Sequence, residues 1–210
     1  MGDHTTFGPL RIGFDARVLR PRKWTTAQSD WAADLLPRLP MGPVLELCAG
    51  AGQIGLLAVF HSTRRLVCVD ADETACRFTR ANADGAKMGD RVEVRHARLE
   101  EALGPEEAFP LIIADPPWVP HLDTGQFPED PLTAIDGGDD GLDVARSCLR
   151  TIQDHLAPGG SAILQLGNAG QVVALGAEQP QSWEDLQFVE TREHARGMLV
   201  QVDRRPTREV

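Results

Sequence analysis

The chain has 210 residues and carries 21 Lys and Arg against 31 Asp and Glu, which gives a formal net charge of −10 at pH 7. Hydrophobic residues make up 42% and charged residues 25%, the balance of a folded globular protein, so wholesale disorder is excluded. No apolar run is long enough for a membrane helix, and the acidic balance disfavours a protein that grips a long phosphate backbone. The first residues predict no secretory signal.

The four cysteines are spread along the chain without a Cys-x-x-Cys pair, at Cys48, Cys68, Cys76 and Cys148. This spacing favours reduced thiols over a disulfide framework or a zinc site. We therefore expect a cytoplasmic protein with no bound metal.

The residues before the first strand of the main domain form a distinct segment. Apolar and polar residues alternate irregularly over residues 7–19, which predicts a small hairpin or an extended arm. Thr25 or Thr26 can then cap a helix that runs to about Leu39. We interpret residues 1–42 as an N-terminal flap and helix, packed on the same domain as residues 43–210.

From residue 44 onward, short apolar strands alternate with helical stretches. The predicted strands lie at residues 44–47, 66–69, 92–94, 111–114 and 162–164. The clearest helix runs from about residue 142 to 156, because its apolar residues recur every three or four positions. We expect Asp139, Asp140 and Asp143 to cap its start, and Pro158-Gly159-Gly160 to separate it from the next strand.

Two further strands, at residues 188–193 and 198–202, follow without a helix between them and predict an antiparallel hairpin. The alternation of strands and helices is typical of a parallel sheet covered on both faces. The predicted fold class is therefore α/β, a Rossmann-like, doubly wound and mostly parallel seven-stranded sheet that ends in a C-terminal antiparallel hairpin.

The loop after the first of these strands has the spacing G-x-G-x-x-G at Gly50, Gly52 and Gly55, and Asp70 ends the next strand. Glycines let the backbone approach a ligand closely, and a carboxylate in this position can bind ribose hydroxyls. The loop by itself fits NAD as well as S-adenosylmethionine. Glu46 inside the strand, and an acidic chain with no pyrophosphate to neutralise, favour S-adenosylmethionine.

The strand at residues 111–114 leads directly into Asp115-Pro116-Pro117-Trp118. Ligands of open parallel sheets bind beyond the carboxyl ends of the strands, so this turn is expected beside the glycine loop. An oxygen of Asp115 and the carbonyl of Pro116 can each accept one N–H, which directs the nitrogen lone pair outward. Trp118 offers a flat face for stacking. We therefore predict N-methylation, with Asp115, Pro116 and Trp118 as the catalytic residues.

Several segments resemble the HemK/PrmC-type protein-glutamine N-methyltransferases, a family of class I S-adenosylmethionine-dependent methyltransferases. The similar motifs are V-L-R-P-R at residues 18–22, D-P-P-W-V-P at 115–120, D-G-G-D-D-G-L-D at 136–143, P-G-G at 158–160 and L-Q-L-G at 164–167. The resemblance implies S-adenosyl-L-methionine as cofactor and S-adenosyl-L-homocysteine as product. The residues expected to bind the cofactor are Glu46, Cys48, Ala49, Gly50, Gly52, Asp70, Ala71, Ala97, Arg98 and Asp115.

The chain departs from the family pattern in several respects. Cys48 stands at the first glycine of the D-x-G-x-G-x-G loop, where a side chain would reshape the methionine pocket. Asp115 and Trp118 replace the Asn and Tyr of N-P-P-Y, a change commoner in enzymes that methylate exocyclic amines of nucleobases. Few residues precede the first strand, so we expect the leading helical domain of bacterial members to be missing.

The predicted activity is methyl transfer to an amide or amine nitrogen, foremost that of a protein glutamine, with an activating partner subunit as one route to substrate recognition. A small-molecule N-methyltransferase is an alternative, since residues 106–143 hold ten carboxylates and no Lys or Arg and would attract a cationic substrate. An RNA or DNA exocyclic-amine methyltransferase is a further alternative that the net charge disfavours. Asp70 and Asp115 argue against a catalytically silent binding subunit.

Overall fold

A computed structural model describes residues 2–194 and 196–205. Residues 1, 195 and 206–210 lie outside the described residues. The first residue of the predicted N-terminal segment and the last five of the predicted main domain are therefore not described. The elements in chain order are β1 (Asp3–Phe7), β2 (Leu10–Phe14), α1 (Thr26–Leu35), β3 (Val44–Leu47), α2 (Gln53–Ala58), β4 (Leu66–Asp70), α3 (Glu73–Gly85), β5 (Val92–His96), β6 (Phe109–Ala114), α4 (Leu132–Ile135), α5 (Asp143–His155), β7 (Leu156–Leu166), α6 (Ala169–Ser182), β8 (Leu186–His194) and β9 (Gly197–Arg204).

Seven of these strands form one sheet in the order β5-β4-β3-β6-β7-β9-β8, and β1 pairs with β2 in a separate hairpin. The five strands from β5 to β7 pair in parallel, and β9 runs antiparallel to both β7 and β8. The predicted Rossmann-like sheet with a C-terminal antiparallel hairpin is therefore confirmed. From β3, successive strands are added towards one edge of the sheet as far as β5, and from β6 they are added towards the other edge. This reversal of strand order opens a crevice at the carboxyl ends of β3 and β6.

The two faces of the sheet carry separate apolar clusters, because side chains of a strand alternate between its faces. In β6, Ile112 packs in the cluster that includes α5, whereas Leu111 and Ile113 pack on the opposite face. Ala145 and Leu149 of α5 are completely buried, which confirms the predicted apolar stripe of this helix. Among the described residues, no helix is both long and apolar enough to cross a membrane.

The N-terminal segment forms the hairpin of β1 and β2 followed by α1, and it shares a core cluster with β3 and α2. Asn82 of α3 holds the hairpin in place, because its Oδ1 accepts a hydrogen bond from the backbone N–H of Gly13 at 2.7 Å and its Nδ2 donates to the carbonyl of Gly13 at 3.0 Å. The predicted helix ends earlier than expected, at Leu35, and continues as a 3₁₀ turn to Arg38.

The predicted helix caps are wrong in detail. A 3₁₀ turn runs directly into α1, so neither threonine accepts a capping bond; the hydroxyls of Thr25 and Thr26 instead donate to backbone carbonyls three residues earlier. Leu142 is the N-cap of α5, without a side-chain cap of its own. Asp140 contributes nearby by accepting a hydrogen bond from the backbone N–H of Leu142 at 3.0 Å.

The segment Pro158-Gly159-Gly160 does not separate α5 from the next strand as expected. β7 begins at Leu156, directly after the helix, and residues 158–160 lie within it. The pairing with β6 is irregular here, since Phe109 faces Leu156 but Leu111 faces Ser161. The extra residues are accommodated as a bulge, which explains why a turn-like sequence is found inside a strand.

Candidate active site

Two adjoining cavities lie beyond the carboxyl ends of the central strands. The larger cavity, of about 500 Å³, is bounded by the loop after β3 and by the ends of β4 and β5. The smaller cavity, of about 120 Å³, is bounded by the loop after β6 and by the N-terminal segment. Both cavities share Leu19, Gln53, Asp115, Pro117 and Ala134 as wall residues. Two adjoining cavities therefore lie where the strand order reverses, at the carboxyl ends of β3 and β6.

Most residues expected to bind the cofactor line the larger cavity, namely Cys48, Ala49, Gly50, Asp70, Ala71, Ala97, Arg98 and Asp115. Gly50 adopts φ +57°, and no atom lies within 4 Å of the position that a Cβ would take. Because Gly50 has no side chain and the space beside it is open, a ligand can come into close contact with the backbone of this loop. Asp70, at the end of β4, lines the same cavity directly beside this loop.

Glu46 and Gly52 do not line the larger cavity, contrary to expectation. Glu46 is 2% exposed and accepts hydrogen bonds from the backbone N–H of Gly55 at 2.8 Å and from Sγ of Cys68 at 3.3 Å. Alternation along β3 turns its side chain beneath α2, and burial raises its pKa to about 7. Gly52 has φ +77° and packs against Thr79, so its role is in the backbone turn.

Cys48 has the left-handed conformation, φ +57°, that the glycine of the family pattern would adopt without strain. Its Sγ lies 4.0 Å from Sγ of Cys148 in α5, and this contact together with burial raises the pKa of the Cys48 thiol well above its usual value. All four cysteines are free thiols. The side chain thus forms part of the cavity wall between the loop and α5. That it reshapes a methionine pocket stays a prediction.

Asp115 is half-buried and forms part of the wall of both cavities. Burial alone raises the pKa of its carboxyl to about 7. Within the described residues, its carboxylate makes no hydrogen bond, so its oxygens are available to a ligand. Pro116 and Trp118 line the smaller cavity only. The three predicted catalytic residues are therefore brought to one place, with Asp115 at the boundary between the cavities.

The N-terminal segment forms one wall of the smaller cavity. Arg22 pairs with Asp130, 108 residues further along the chain, at an N–O distance of 2.5 Å. Three aromatic side chains line this cavity, from Trp24, Trp118 and Phe127. The contact of this segment with the loop before α4 has no signal in the sequence, because the pairing depends on the folded chain.

Sequence reasoning also missed Gln53 and Gln171. Gln53 is the first residue of α2 and lines both cavities. Gln171 of α6 is 6% exposed, and its Nε2 donates to the carbonyl of Trp118 at 2.9 Å while its Oε1 accepts from the backbone N–H of Gly167 at 2.8 Å. The only signal for Gln53 was its position directly after the glycine loop; no local pattern marks Gln171.

The charges of the larger cavity suit a cationic ligand. Its charged wall residues are Asp70, Asp72, Glu100, Asp115 and Asp143 against Arg17 and Arg98. A pyrophosphate would meet an excess of carboxylates, whereas a sulfonium would be attracted. The residues present therefore fit S-adenosylmethionine better than a dinucleotide. In the described part of the chain, no cluster of His, Cys, Asp or Glu could hold a metal ion.

Comparison with known proteins identifies the relatives of the chain. A family model described as Conserved hypothetical protein 95 matches residues 25–126. The chain is 34% identical over 148 residues to a ribosomal protein uL3 glutamine methyltransferase of Bradyrhizobium diazoefficiens, covering 68% of this chain and 46% of the relative. It is 31% identical over 196 residues to a release factor glutamine methyltransferase of Streptomyces coelicolor, covering 85% and 66%. The first curated relatives are matched over about half of their length, 46% to 59%.

Solved structures share the fold at low sequence identity. The catalytic domain of hMettl16, in complex with a 3'UTR hairpin, has a TM-score of 0.71 at 15% identity, covering 92% of this chain and 74% of that chain. A methyltransferase from Pyrococcus furiosus has a TM-score of 0.65 at 17% identity, covering 93% and 88%. These structures show the shared fold. The curated relatives, 34% and 31% identical, show that the chain is related to the HemK/PrmC-type glutamine methyltransferases, which are class I S-adenosylmethionine-dependent methyltransferases.

Proposed function

We propose that the protein transfers a methyl group from S-adenosylmethionine to the side-chain amide nitrogen of a glutamine in a protein substrate. The observation that carries the proposal is the position of Asp115, which forms part of the wall of both cavities. A nitrogen held in the smaller cavity and a cofactor in the larger one would meet at this residue. The names of the curated relatives, uL3 and release factor glutamine methyltransferases, support glutamine as the acceptor.

In this proposal the larger cavity binds the cofactor, which supplies an electrophilic methyl group. The carboxylate of Asp70 would accept hydrogen bonds from the ribose hydroxyls. The loop from Cys48 to Gly50 would hold the methionine part, and Ala97 with Arg98 would line the adenine. The acidic wall of this cavity supports a ligand that carries a positive sulfur.

The acceptor nitrogen is oriented by groups that only accept hydrogen bonds. The carboxylate of Asp115 takes one N–H and the carbonyl of Pro116 takes the other, so the lone pair faces the larger cavity. As the N–C bond forms, the S–CH3 bond breaks and S-adenosylhomocysteine leaves as a neutral thioether. Positive charge develops on nitrogen, the carboxylate stabilises it, and the methylated nitrogen then loses one proton to solvent. Trp118 packs on the planar amide. Most of the rate then comes from proximity and orientation, since no metal is needed for this chemistry.

Recognition of the substrate protein is proposed to involve contacts outside the smaller cavity. The smaller cavity, of about 120 Å³, is small compared with a protein substrate, so the rest of the substrate would lie outside it. We propose that a partner subunit supplies the remaining contacts with the substrate protein. A cytoplasmic location, expected from the cysteines, stays a prediction.

One observation favours a second candidate, methylation of the exocyclic amine of a nucleobase. The smaller cavity is lined by the aromatic rings of Trp24, Trp118 and Phe127, and Arg20 and Arg196 lie in the same wall. Aromatic rings stack on bases, and arginines bind phosphates. This candidate predicts binding that weakens steeply with salt, whereas a glutamine side chain predicts little salt dependence.

The proposal is tested with methyl-labelled S-adenosylmethionine and a cell extract of the source organism. The extract is incubated with the wild-type protein or with Asp115→Ala, and the label is followed into protein, nucleic acid and small molecules. Label in one protein, mapped to N-methylglutamine and missing with Asp115→Ala, would support glutamine methylation. Label confined to nucleic acid or to small molecules would overturn it and leave the corresponding alternative.

A further inference from the structure

The boundary between the two cavities contains two polar side chains, those of Asp115 and Gln53. The other shared wall residues, Leu19, Pro117 and Ala134, have apolar side chains. Any acceptor nitrogen that reaches the boundary therefore lies close to both polar groups. The proposed reaction assigns a role to Asp115 and leaves Gln53 without one.

The side-chain amide of Gln53 is unusual because its hydrogen-bonding capacity is unused within the described residues. Its Oε1 is inaccessible to solvent and has no partner there. The Oε1 atoms of Gln28 and Gln153 also lack a partner there, so an unpartnered Oε1 does not by itself indicate a ligand. What distinguishes Gln53 is that its donor, Nε2, makes no hydrogen bond within the described residues while its side chain lines both cavities. Gln28 differs at its donor end, since its Nε2 donates to the carbonyls of Ala114 and Ile163 at 2.9 and 3.2 Å, and it lines neither cavity.

An amide acceptor presents one group that Asp115 and Pro116 cannot bind. The carboxylate and the carbonyl accept N–H groups, but the carbonyl oxygen of a glutamine side chain needs a donor. A side-chain amide offers a donor at one end and an acceptor at the other, and a rotation of half a turn exchanges them. Gln53 is the uncharged polar side chain at the boundary that can supply this donor.

We propose that Gln53 is a specificity-determining residue, which donates a hydrogen bond to the carbonyl oxygen of the acceptor amide and so favours amide over amine acceptors. The inference rests on the proposed glutamine methylation and names the residue that selects for it. The accepting nitrogen would then be held by Asp115 and Pro116, and the neighbouring oxygen by Gln53.

The test measures binding of two small probes to the protein saturated with S-adenosylhomocysteine. N-acetylglutamine amide carries the side-chain carbonyl, and N-acetylornithine amide has a side chain of similar length without it. Dissociation constants are measured by NMR titration for the wild-type protein, for Gln53→Met and for Gln53→Leu. Gln187→Met is the matched control, because Gln187 lies in β8 and lines neither cavity. Thermal melting confirms that each variant is folded.

We expect both Gln53 variants to bind the glutamine probe about fivefold to tenfold more weakly, the effect of one lost hydrogen bond. Binding of the ornithine probe and of S-adenosylhomocysteine should stay unchanged, and Gln187→Met should behave as the wild type. Equal affinity of the wild type and a folded Gln53 variant for the glutamine probe would overturn the inference. Loss of both probes in parallel would also overturn it, because the effect would then not depend on the carbonyl. Failure of the proposed function is read separately, as absence of labelled glutamine in the extract.

Discussion

The backbone N–H of Gly50 donates a hydrogen bond of 2.7 Å to Oδ2 of Asp70, so the glycine loop after β3 is tied to the end of β4. The second carboxylate oxygen, Oδ1, accepts from the backbone N–H of Asp72 at 2.8 Å. These bonds fix the carboxylate at the wall of the larger cavity. Burial outweighs them and raises the pKa of Asp70 from its usual value. A carboxylate that is partly desolvated and held rigidly is well placed to bind hydroxyl groups.

Replacing this carboxylate should weaken cofactor binding. We expect Asp70→Ala to reduce the affinity for S-adenosylmethionine by about 1–3 kcal/mol, because hydrogen bonds to a charged group are lost. Isothermal titration calorimetry measures the change. Glu73→Ala is the matched control, since Glu73 is an exposed acid in the first turn of α3 and lies outside the cavity. An affinity equal to that of the wild type would contradict the role given to Asp70.

Transfer should depend on pH through Asp115. Burial raises the pKa of its carboxyl to about 7, and the ionised form is the stronger acceptor and the one that stabilises the positive charge developing on nitrogen. We therefore expect kcat/KM to rise with pH up to about 7 and to level off above it. Asp115→Asn keeps an accepting oxygen at every pH, so it should retain some turnover without this inflection. Asp115→Ala should lose turnover and still bind the cofactor. An unchanged inflection in Asp115→Asn would show that another group titrates.

The stability of the fold should fall as pH rises, because of Glu46. Its pKa is about 7 in the folded protein against 4.5 for an ordinary glutamate, so the folded state binds the proton more tightly. The stabilising contribution is complete below about pH 4.5 and is lost as pH rises through 7. The difference between the two pKa values corresponds to about 3 kcal/mol.

The substitution Glu46→Gln isolates this contribution, since an amide oxygen can still accept the bond from the backbone N–H of Gly55. Free energies of unfolding in urea at pH 5 and pH 8 should differ less in the variant than in the wild type. Equal differences in the two proteins would contradict the assignment to Glu46.

Gln171 should act as a positioning residue for the loop that carries the catalytic turn. Its Nε2 donates to the carbonyls of Trp118 and Asp140, at 2.9 and 3.2 Å, and its Oε1 accepts from Gly167. We expect Gln171→Ala to lower the free energy of unfolding by about 1–3 kcal/mol, since buried backbone groups lose their partner. It should also lower kcat without changing the affinity for S-adenosylhomocysteine. Gln181→Ala, an exposed change in the same helix, should alter neither. A normal kcat in a folded Gln171→Ala protein would contradict this role.

Local sequence patterns determined the elements and their order. Continuous apolar runs such as Leu111 to Ala114 predicted strands buried on both faces, and the three-four spacing of α5 predicted its buried stripe. Both are confirmed, because hydrophobic periodicity reflects which faces of an element are removed from water. Motif spacing likewise predicted Asp115 beside the glycine loop. Local reasoning failed at Thr25 and at residues 158–160, where tertiary pairing changed what a turn-forming or capping residue does.

The tertiary structure alone decided which side chains face the cavities. Glu46 and Asp115 are both acids expected near the ligand, Glu46 within β3 and Asp115 directly after β6. The pleat of β3 turns Glu46 beneath α2, whereas the end of β6 leaves Asp115 at the boundary of the two cavities. The pair of Arg22 and Asp130 and the contact of Gln171 with Trp118 join residues that are 108 and 53 positions apart. Such contacts depend on how the helices, strands and loops pack, and not on the local spacing of apolar residues. A sequence pattern therefore does not predict them.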